Sequence, residues 1–290
     1  MKQLIVNADD LGAGEARDAG IFEAIEAGVV TSVSILPNGP TSHDALHRIR
    51  PFGSKNVSPG VHLNLSEGKP VSPGLKPLTG PDGCFWGKAR TQELLMRRED
   101  SALEAEIAQE ISNQISVLRK EGVEIRHLDG HQHIHLFPAA LEAVREAAEK
   151  HRIPWVRVPE EPPPSRNNEL PDWLFNEGQF FSHLARTARV QWRGTGFQTT
   201  DHFRGLYSKG KISPSLLREL VEALPEGLTE LMAHPGRVPR GPSQSPFSNF
   251  STPERERELS ALMHQSFRAA LSKHGVSLVP FPVGGSRCAS

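Results

Sequence analysis

The apolar and polar positions of the chain follow two alternating spacings, which predict strands separated by helices. Residues 3–8 are a short apolar run with β-branched side chains, which is typical of a buried strand. Residues 103–118 carry apolar side chains three or four positions apart, as one face of a helix does. Further strands are predicted at 30–36, 57–65, 127–135, 155–158, 194–200, 228–233 and 276–281. Further helices are predicted at 15–27, 42–50, 137–147 and 173–184, and from residues 213 and 252 onwards.

This alternation of strands and helices predicts an α/β fold with a parallel sheet and right-handed crossovers. For 290 residues we expect a single domain, 1–290, built as a closed or nearly closed (β/α) barrel of seven or eight strands. A doubly wound sheet is less favoured, because no glycine-rich dinucleotide motif follows the first strand. The pattern is weakest over residues 160–200, and residues 67–87 predict a long loop rich in proline and glycine.

Composition and charge narrow the functional classes. The chain is 37% hydrophobic and 23% charged, so it has ample material for a large core. Its net charge of −1 argues against nucleic acid or an anionic membrane as a partner. No apolar run approaches the ~20 residues of a membrane span, and the N-terminus lacks the features of a signal peptide, so we expect a cytoplasmic protein. Cys84 and Cys288 support neither a disulfide framework nor a cysteine zinc site.

A histidine-rich stretch, residues 127–135, is the strongest chemical signal in the sequence. An extended strand would place on one face His127, Asp129, His131, His133 and His135. Leu128 and Ile134 would then bury the opposite face, which argues against a polar, solvent-facing run. Imidazole and carboxylate are common ligands of divalent metals, so the stretch predicts a metal site.

Other polar residues lie at or near strand ends. Asp9 and Asp10 end the first strand, His62 lies in the third, and His234 follows the strand at 228–233. Two adjacent carboxylates are costly without a balancing positive charge, although one of them could instead cap the next helix. Because barrel active sites are built on the C-terminal ends of the strands, we expect these groups to converge there.

The residues alone leave the ligand set open. A chelate of His131 with His133 is nearly as good as His131 with His62, since strand residues two apart are separated by only ~6.6 Å. His202 is equally undecided on sequence grounds.

Several segments together resemble the YdjC-like carbohydrate deacetylases, which include the chitooligosaccharide deacetylases. The segments that carry the resemblance are 4–12, 30–34, 60–70, 127–138 and 230–236. The resemblance covers nearly the whole chain and implies a barrel of the polysaccharide-deacetylase type. It further implies a metal-dependent hydrolase that removes an N-acetyl group from an amino sugar or a short oligosaccharide.

The family pattern also implies roles for individual residues. It implies as metal ligands Asp10, His62 and His131. It makes Asp9 the base and His234 the acid. For Asp129 we expect a hydrogen bond to a ligand imidazole or to an acid–base residue, and for Arg157 contacts to substrate hydroxyls or a carboxylate.

The resemblance implies Mg²⁺ as the cofactor, although one carboxylate and two imidazoles also suit Zn²⁺ or another transition metal. The expected partner is an N-acetylated amino sugar, and a homodimer is a possible assembly. The main alternative is a non-catalytic metal- or sugar-binding protein, in which Asp9 would have no use. A phosphoesterase needs cationic phosphate clamps, and no Arg/Lys cluster lies near these motifs.

Overall fold

The computed structural model describes residues 1–97, 100–164, 170–241, 246–247 and 252–283; Cys288 lies outside these ranges. The strands are β1 (Lys2–Leu11), β2 (Ser32–Ile35), β3 (Ser58–Leu63), β4 (His127–Gly130), β5 (Trp155–Val156), β6 (His202–Arg204), β7 (Gly227–Ala233) and β8 (Val276–Leu278). The helices are α1 (Glu15–Glu26), α2 (Ser42–Ile49), α3 (Gly53–Asn56), α4 (Lys88–Leu95), α5 (Ser101–Lys120), α6 (Leu141–Lys150), α7 (Asp172–Gln191), α8 (Pro214–Glu222), α9 (Pro253–Met263) and α10 (Gln265–Lys273). Short 3₁₀ helices occupy Arg50–Phe52 and His131–Leu136.

The strands form one parallel sheet in the order β5-β4-β3-β2-β1-β7-β6, with β8 added to the first half of β1. The prediction of an α/β fold with a parallel sheet is therefore confirmed. The prediction of a closed barrel is not confirmed, because β5 and β6 share no strand ladder within the described ranges. A single parallel bridge joins Trp155 to Gln198, which precedes β6. The sheet is curled, and its strand ladders cover most of a barrel without completing it.

The two faces of β1 have different surroundings, as alternation along a strand requires. Leu4, Val6 and Ala8 belong to the main core, which also contains the apolar faces of the helices. On the other face, Ile5 joins a separate apolar cluster with Trp155, Leu228 and Phe281. Asn7 and Asp9 follow Ile5 on that face, so the inside of the curl is apolar near the start of β1 and polar near its end.

Several predicted elements differ from the observed ones. Helix α4 lies in a stretch for which no element was predicted, and α7 is longer than the predicted helix at 173–184. The strand predicted at 194–200 is β6, at 202–204. The single helix predicted after residue 252 is two helices, because His264 adopts an extended conformation between them. None of the described helices is both long and apolar enough to cross a membrane.

Candidate active site

Strand β1 ends in a backbone irregularity that brings two neighbouring carboxylates into one site. In a regular strand, Asp9 and Asp10 would point to opposite faces. The pairing register with β2 shifts between Ala8 and Leu11, and Asp10 has a φ of 68°. This left-handed conformation is uncommon outside glycine, although aspartate tolerates it better than most residues. Both carboxylates are consequently buried on the inner side of the curl.

Asp10 is surrounded by three cationic or potentially cationic groups. Its Oδ1 accepts a hydrogen bond from Nδ1 of His131 at 2.9 Å and lies 3.3 Å from Nε2 of His62. Its Oδ2 accepts a hydrogen bond from the Arg17 guanidinium at 2.9 Å. Burial alone would raise the pKa of Asp10, but these neighbours hold it well below its usual range. The carboxylate therefore has one oxygen fixed by Arg17 and one shared by two imidazoles.

His62 is oriented by a carboxylate on each side. Its Nδ1 donates to Oδ1 of Asp129 at 2.7 Å, which leaves Nε2 beside Asp10. Burial lowers the pKa of His62, but the charges of Asp129 and Asp10 outweigh burial and raise the pKa to about 10. Asp129 thus occupies the place expected of a carboxylate that fixes the tautomer of a ligand histidine.

Two overlapping groups of side chains could hold a metal ion. The first is Asp10, His62 and His131, and the second is Asp9, His62 and Asp129; in each, donor atoms lie within 4.8 Å of one another. We favour the first group, because Arg157 occupies both oxygens of Asp9, whereas Arg17 contacts only one oxygen of Asp10 and leaves Oδ1 to the two imidazoles. The spacings around Asp10 suit donor atoms that share one ion at bond lengths of ~2.0–2.2 Å.

Arg157 links three buried carboxylates. Its guanidinium donates two hydrogen bonds to Asp9, both at 2.7 Å, and contacts Asp129 and Glu230 at the same distance. Asn7 donates a further hydrogen bond to Asp9. Arg157 is only 1% exposed, and its guanidinium is engaged by these three carboxylates, so its predicted contact with substrate stays a prediction. In the structure described, Arg157 positions the carboxylate of Asp9.

Glu230 is a site residue that the sequence reasoning missed. It lies in the middle of β7 and is fully buried, and burial raises its pKa to about 7 despite its contact with Arg157. The sequence contained a signal for it. Glu230 is a glutamate within an apolar strand, and its position relative to His234 places both side chains on the same face of an extended chain.

His234 follows β7 directly and faces the same carboxylate. Its Nε2 lies 4.0 Å from Oδ2 of Asp9, and its backbone N–H donates to Glu258 at 2.6 Å. Burial, with the positive charge of Arg255, lowers the pKa of His234 well below its usual value. The fold therefore disfavours the charged imidazole, and Nε2 faces Asp9 from beyond hydrogen-bond distance.

The histidine-rich stretch is not one extended strand, and this part of the prediction is wrong. Strand β4 ends at Gly130, after which Gln132 and His133 have φ values of 54° and 56°. The alternation of side chains is lost there, and the three remaining histidines separate. His131 turns to Asp10 while the His133 ring packs 4.7 Å from that of Phe181.

The other two histidines of the stretch are internal. His127 stacks on Phe281 and lies 2.9 Å from the hydroxyl of Ser34, whereas His135 donates to the backbone oxygen of Arg157 at 3.1 Å. Burial lowers the pKa of both His127 and His135 to about 3. Neither enters a candidate metal group among the described residues.

A cleft with a cavity volume of about 50 Å³ opens beside these groups. Besides Asp9, Asp10, His62, His131 and His234, its walls include Lys88, His133, Glu177, Phe181 and Lys209. The motifs carry no cluster of cations, but the fold brings Lys88 and Lys209 to the cleft from distant segments. Both ammonium groups contact the carboxylate of Glu177. Such convergence is invisible in the sequence, because no spacing relates the three residues.

Comparison with known proteins places the chain in a family. The YdjC-like protein family matches residues 3–273. The mouse carbohydrate deacetylase is 36% identical over 297 residues, which cover 95% of this chain and 93% of the mouse protein. The Clostridium beijerinckii carbohydrate deacetylase is 26% identical, over 96% of this chain and 98% of that protein. A solved Enterococcus faecalis protein shares the fold, with a TM-score of 0.72, 24% identity and 97% coverage of both chains. The chain belongs to the YdjC-like protein family.

Proposed function

We propose that the protein is a metal-dependent carbohydrate deacetylase, which hydrolyses the N-acetyl group of an amino sugar or a short oligosaccharide of the chitooligosaccharide type. The names of its relatives support this activity. The observation that carries the proposal is that two adjacent carboxylates have different partners. Asp10 faces two imidazoles, whereas Asp9 is held by Arg157 and faces His234. We further propose that the curled sheet serves as the barrel of a polysaccharide deacetylase.

The residues Asp10, His62 and His131 would hold the ion. These residues fit an ion because Oδ1 of Asp10 lies beside a ring nitrogen of each imidazole. Each imidazole would give up a proton to coordinate the ion. An ion bound there would polarise the acetyl carbonyl and make a water molecule more acidic. Mg²⁺ is the proposed ion, and the two imidazoles make Zn²⁺ the first competitor to test.

The protein side chains would handle the protons. Asp9 takes a proton as water attacks the acetyl carbonyl carbon, and Arg157 keeps the carboxylate in place through two parallel hydrogen bonds. His234, whose Nε2 lies 4.0 Å from Asp9, would accept that proton from Asp9 and pass it to the amide nitrogen as the carbon–nitrogen bond breaks, which returns both side chains to their starting forms. The nitrogen must be protonated, because an amine anion is a very poor leaving group. The products are acetate and the free amino sugar, so the proton that water loses ends on the nitrogen.

The test is acetate release from diacetylchitobiose by protein that has been stripped of metal and then supplied with Mg²⁺ or Zn²⁺. We expect no release without metal, restored release with one of the ions, and one bound ion per chain by elemental analysis. A protein that binds metal and sugar but releases no acetate would support the non-catalytic alternative instead.

A further inference from the structure

The cleft has a second polar wall that the proposed chemistry does not use. It consists of His133, Glu177 and Lys209, with Lys88 on the far side of Glu177, and we call it the sugar wall. We propose that the sugar wall is a binding subsite for hydroxyl groups of the acetylated sugar. This inference rests on the proposed function, because it specifies how that substrate is held.

His133 provides the first line of support. The residue keeps a left-handed backbone with a φ of 56°, and such strain in a residue other than glycine clusters at functional sites. The side chain is 7% exposed and lines the cleft, yet its Nδ1 has no hydrogen-bond partner in the described part of the chain. Because His133 lines the cleft, a ligand there could satisfy this nitrogen, which buried polar atoms generally require.

The charges of the wall provide the second. Glu177 and Lys209 are half-buried, with side chains 19% and 34% exposed, and the Lys209 ammonium nitrogen lies 3.2 Å from a Glu177 carboxylate oxygen. Lys88 contacts the other oxygen of the same carboxylate. The three residues come from α7, the segment after β6 and the start of α4, so the fold gathers them at the cleft from three distant places.

This mixture of groups selects the class of ligand. Each ammonium group has three N–H donors, and a carboxylate only accepts. A sugar hydroxyl both donates and accepts, so it can use the lysines and Glu177 together. An anionic substituent could use the lysines but would be repelled by the carboxylate between them. The wall therefore fits a neutral polyhydroxylated ring better than a phosphate or a carboxylate.

The experiment uses paired variants at two residues with positive φ. Arg152, at φ 50°, lies outside the cleft and is exposed. His133→Gly and Arg152→Gly both relieve the strain of a positive φ, but only His133→Gly removes a side chain of the sugar wall. We expect His133→Gly to weaken binding of the chitobiose product about tenfold by calorimetry, with metal content unchanged, and His133→Gln to recover part of the loss. Arg152→Gly should bind as the wild type does.

Glu177→Gln separates hydroxyl recognition from anion recognition. We expect it to weaken chitobiose binding and to tighten binding of chitobiose 6-phosphate, whereas the wild type should bind chitobiose more tightly than the phosphate. Unchanged chitobiose affinity in His133→Gly, or tighter binding of the phosphate than of chitobiose by the wild type, would overturn the proposal. Because binding of the product needs no turnover, a protein that releases no acetate but shows these affinity losses would fail the proposed function alone.

Discussion

At the scale of single residues, the arrangement depends on Arg157. One guanidinium holds carboxylates from β1, β4 and β7, and all four side chains are buried. Burial lowers the pKa of an arginine, but here the charges of Asp129 and Asp9 raise it well above its usual value. A buried charge that loses its partner is costly, typically 3–5 kcal/mol, so the network tolerates little change.

Replacing Asp9 by Asn tests the division of labour between the carboxylates. If Asp9 is a base and not a metal ligand, Asp9→Asn should retain the metal while turnover falls by about two to four powers of ten. Asp10→Asn is the matched control and should lose the metal as well. Metal content by elemental analysis and acetate release on the same samples decide the outcome. Metal loss in Asp9→Asn would make that residue a ligand.

Arg157→Lys tests the guanidinium itself. A lysine keeps the positive charge but cannot donate to three carboxylates at once, so we expect a loss of roughly 3–5 kcal/mol in the free energy of unfolding. Arg145→Lys is the surface control, since Arg145 pairs with Glu142 and Glu149 on the outer face of α6 and should change stability far less than Arg157→Lys does. Urea titrations measure both, and equal losses would contradict the role given to Arg157.

At the scale of elements, helix α5 organises the long loop beside the cleft. Glu110 is fully buried and accepts hydrogen bonds from the backbone N–H groups of Val71 and Ser72, both at 2.8 Å. One turn later, Gln114 bonds both to the N–H and to the carbonyl of Asn64. A loop without regular secondary structure is thus held by the side chains of a helix, which satisfy its buried backbone groups.

Glu110→Ala should loosen this loop without unfolding the sheet. The change leaves two buried N–H groups without partners, at a cost of ~1–3 kcal/mol each. We expect faster proteolytic cleavage between residues 66 and 87 while the circular dichroism spectrum is preserved. Gln109→Ala, on the exposed face of the same helix, should cleave at the wild-type rate. An unchanged cleavage rate in Glu110→Ala would show that the loop keeps its conformation without Glu110.

The elements also show which parts of the structure could be predicted from the sequence. The strand that ends in Asp9-Asp10 and the amphipathic face of α5 follow from local periodicity, which one segment contains. The turn after Gly130 does not, because nothing in its sequence marks the positive φ of Gln132 and His133. The carboxylates around Arg157 and the lysines of the sugar wall are brought together by strand order and loop placement. A local sequence pattern does not predict either of these.

At the scale of the whole molecule, buried ionisable groups make stability depend on pH in opposite directions. His127 has a pKa of about 3 in the fold, below its ordinary value of 6.5, so its contribution is complete above pH 6.5 and is lost as pH falls towards 3. Glu161 and Glu230 have raised pKa values of about 7. Their protonated forms favour the fold, and this contribution is present below about pH 4.5 and lost as pH rises through 7.

A variant isolates the histidine contribution. His127→Gln cannot titrate, so its free energy of unfolding should decline less than that of the wild type between pH 6.5 and 4, by on the order of 3 kcal/mol. Urea titrations at several pH values measure the difference, and the glutamates cancel in the comparison. Parallel curves would mean that His127 is not held neutral by the fold.

The order of strands around β1 has a consequence for biosynthesis. Strands β1 to β4 pair in the order in which they are made, and they carry Asp10, His62 and His131 within the first 131 residues. Strand β7, which brings Glu230 and His234, docks on the other edge of β1 only after about 100 further residues have been made. If the proposed roles hold, a nascent chain would have made its candidate ion ligands well before His234, the proposed proton donor. We therefore expect stalled chains of increasing length to bind an ion before they release acetate.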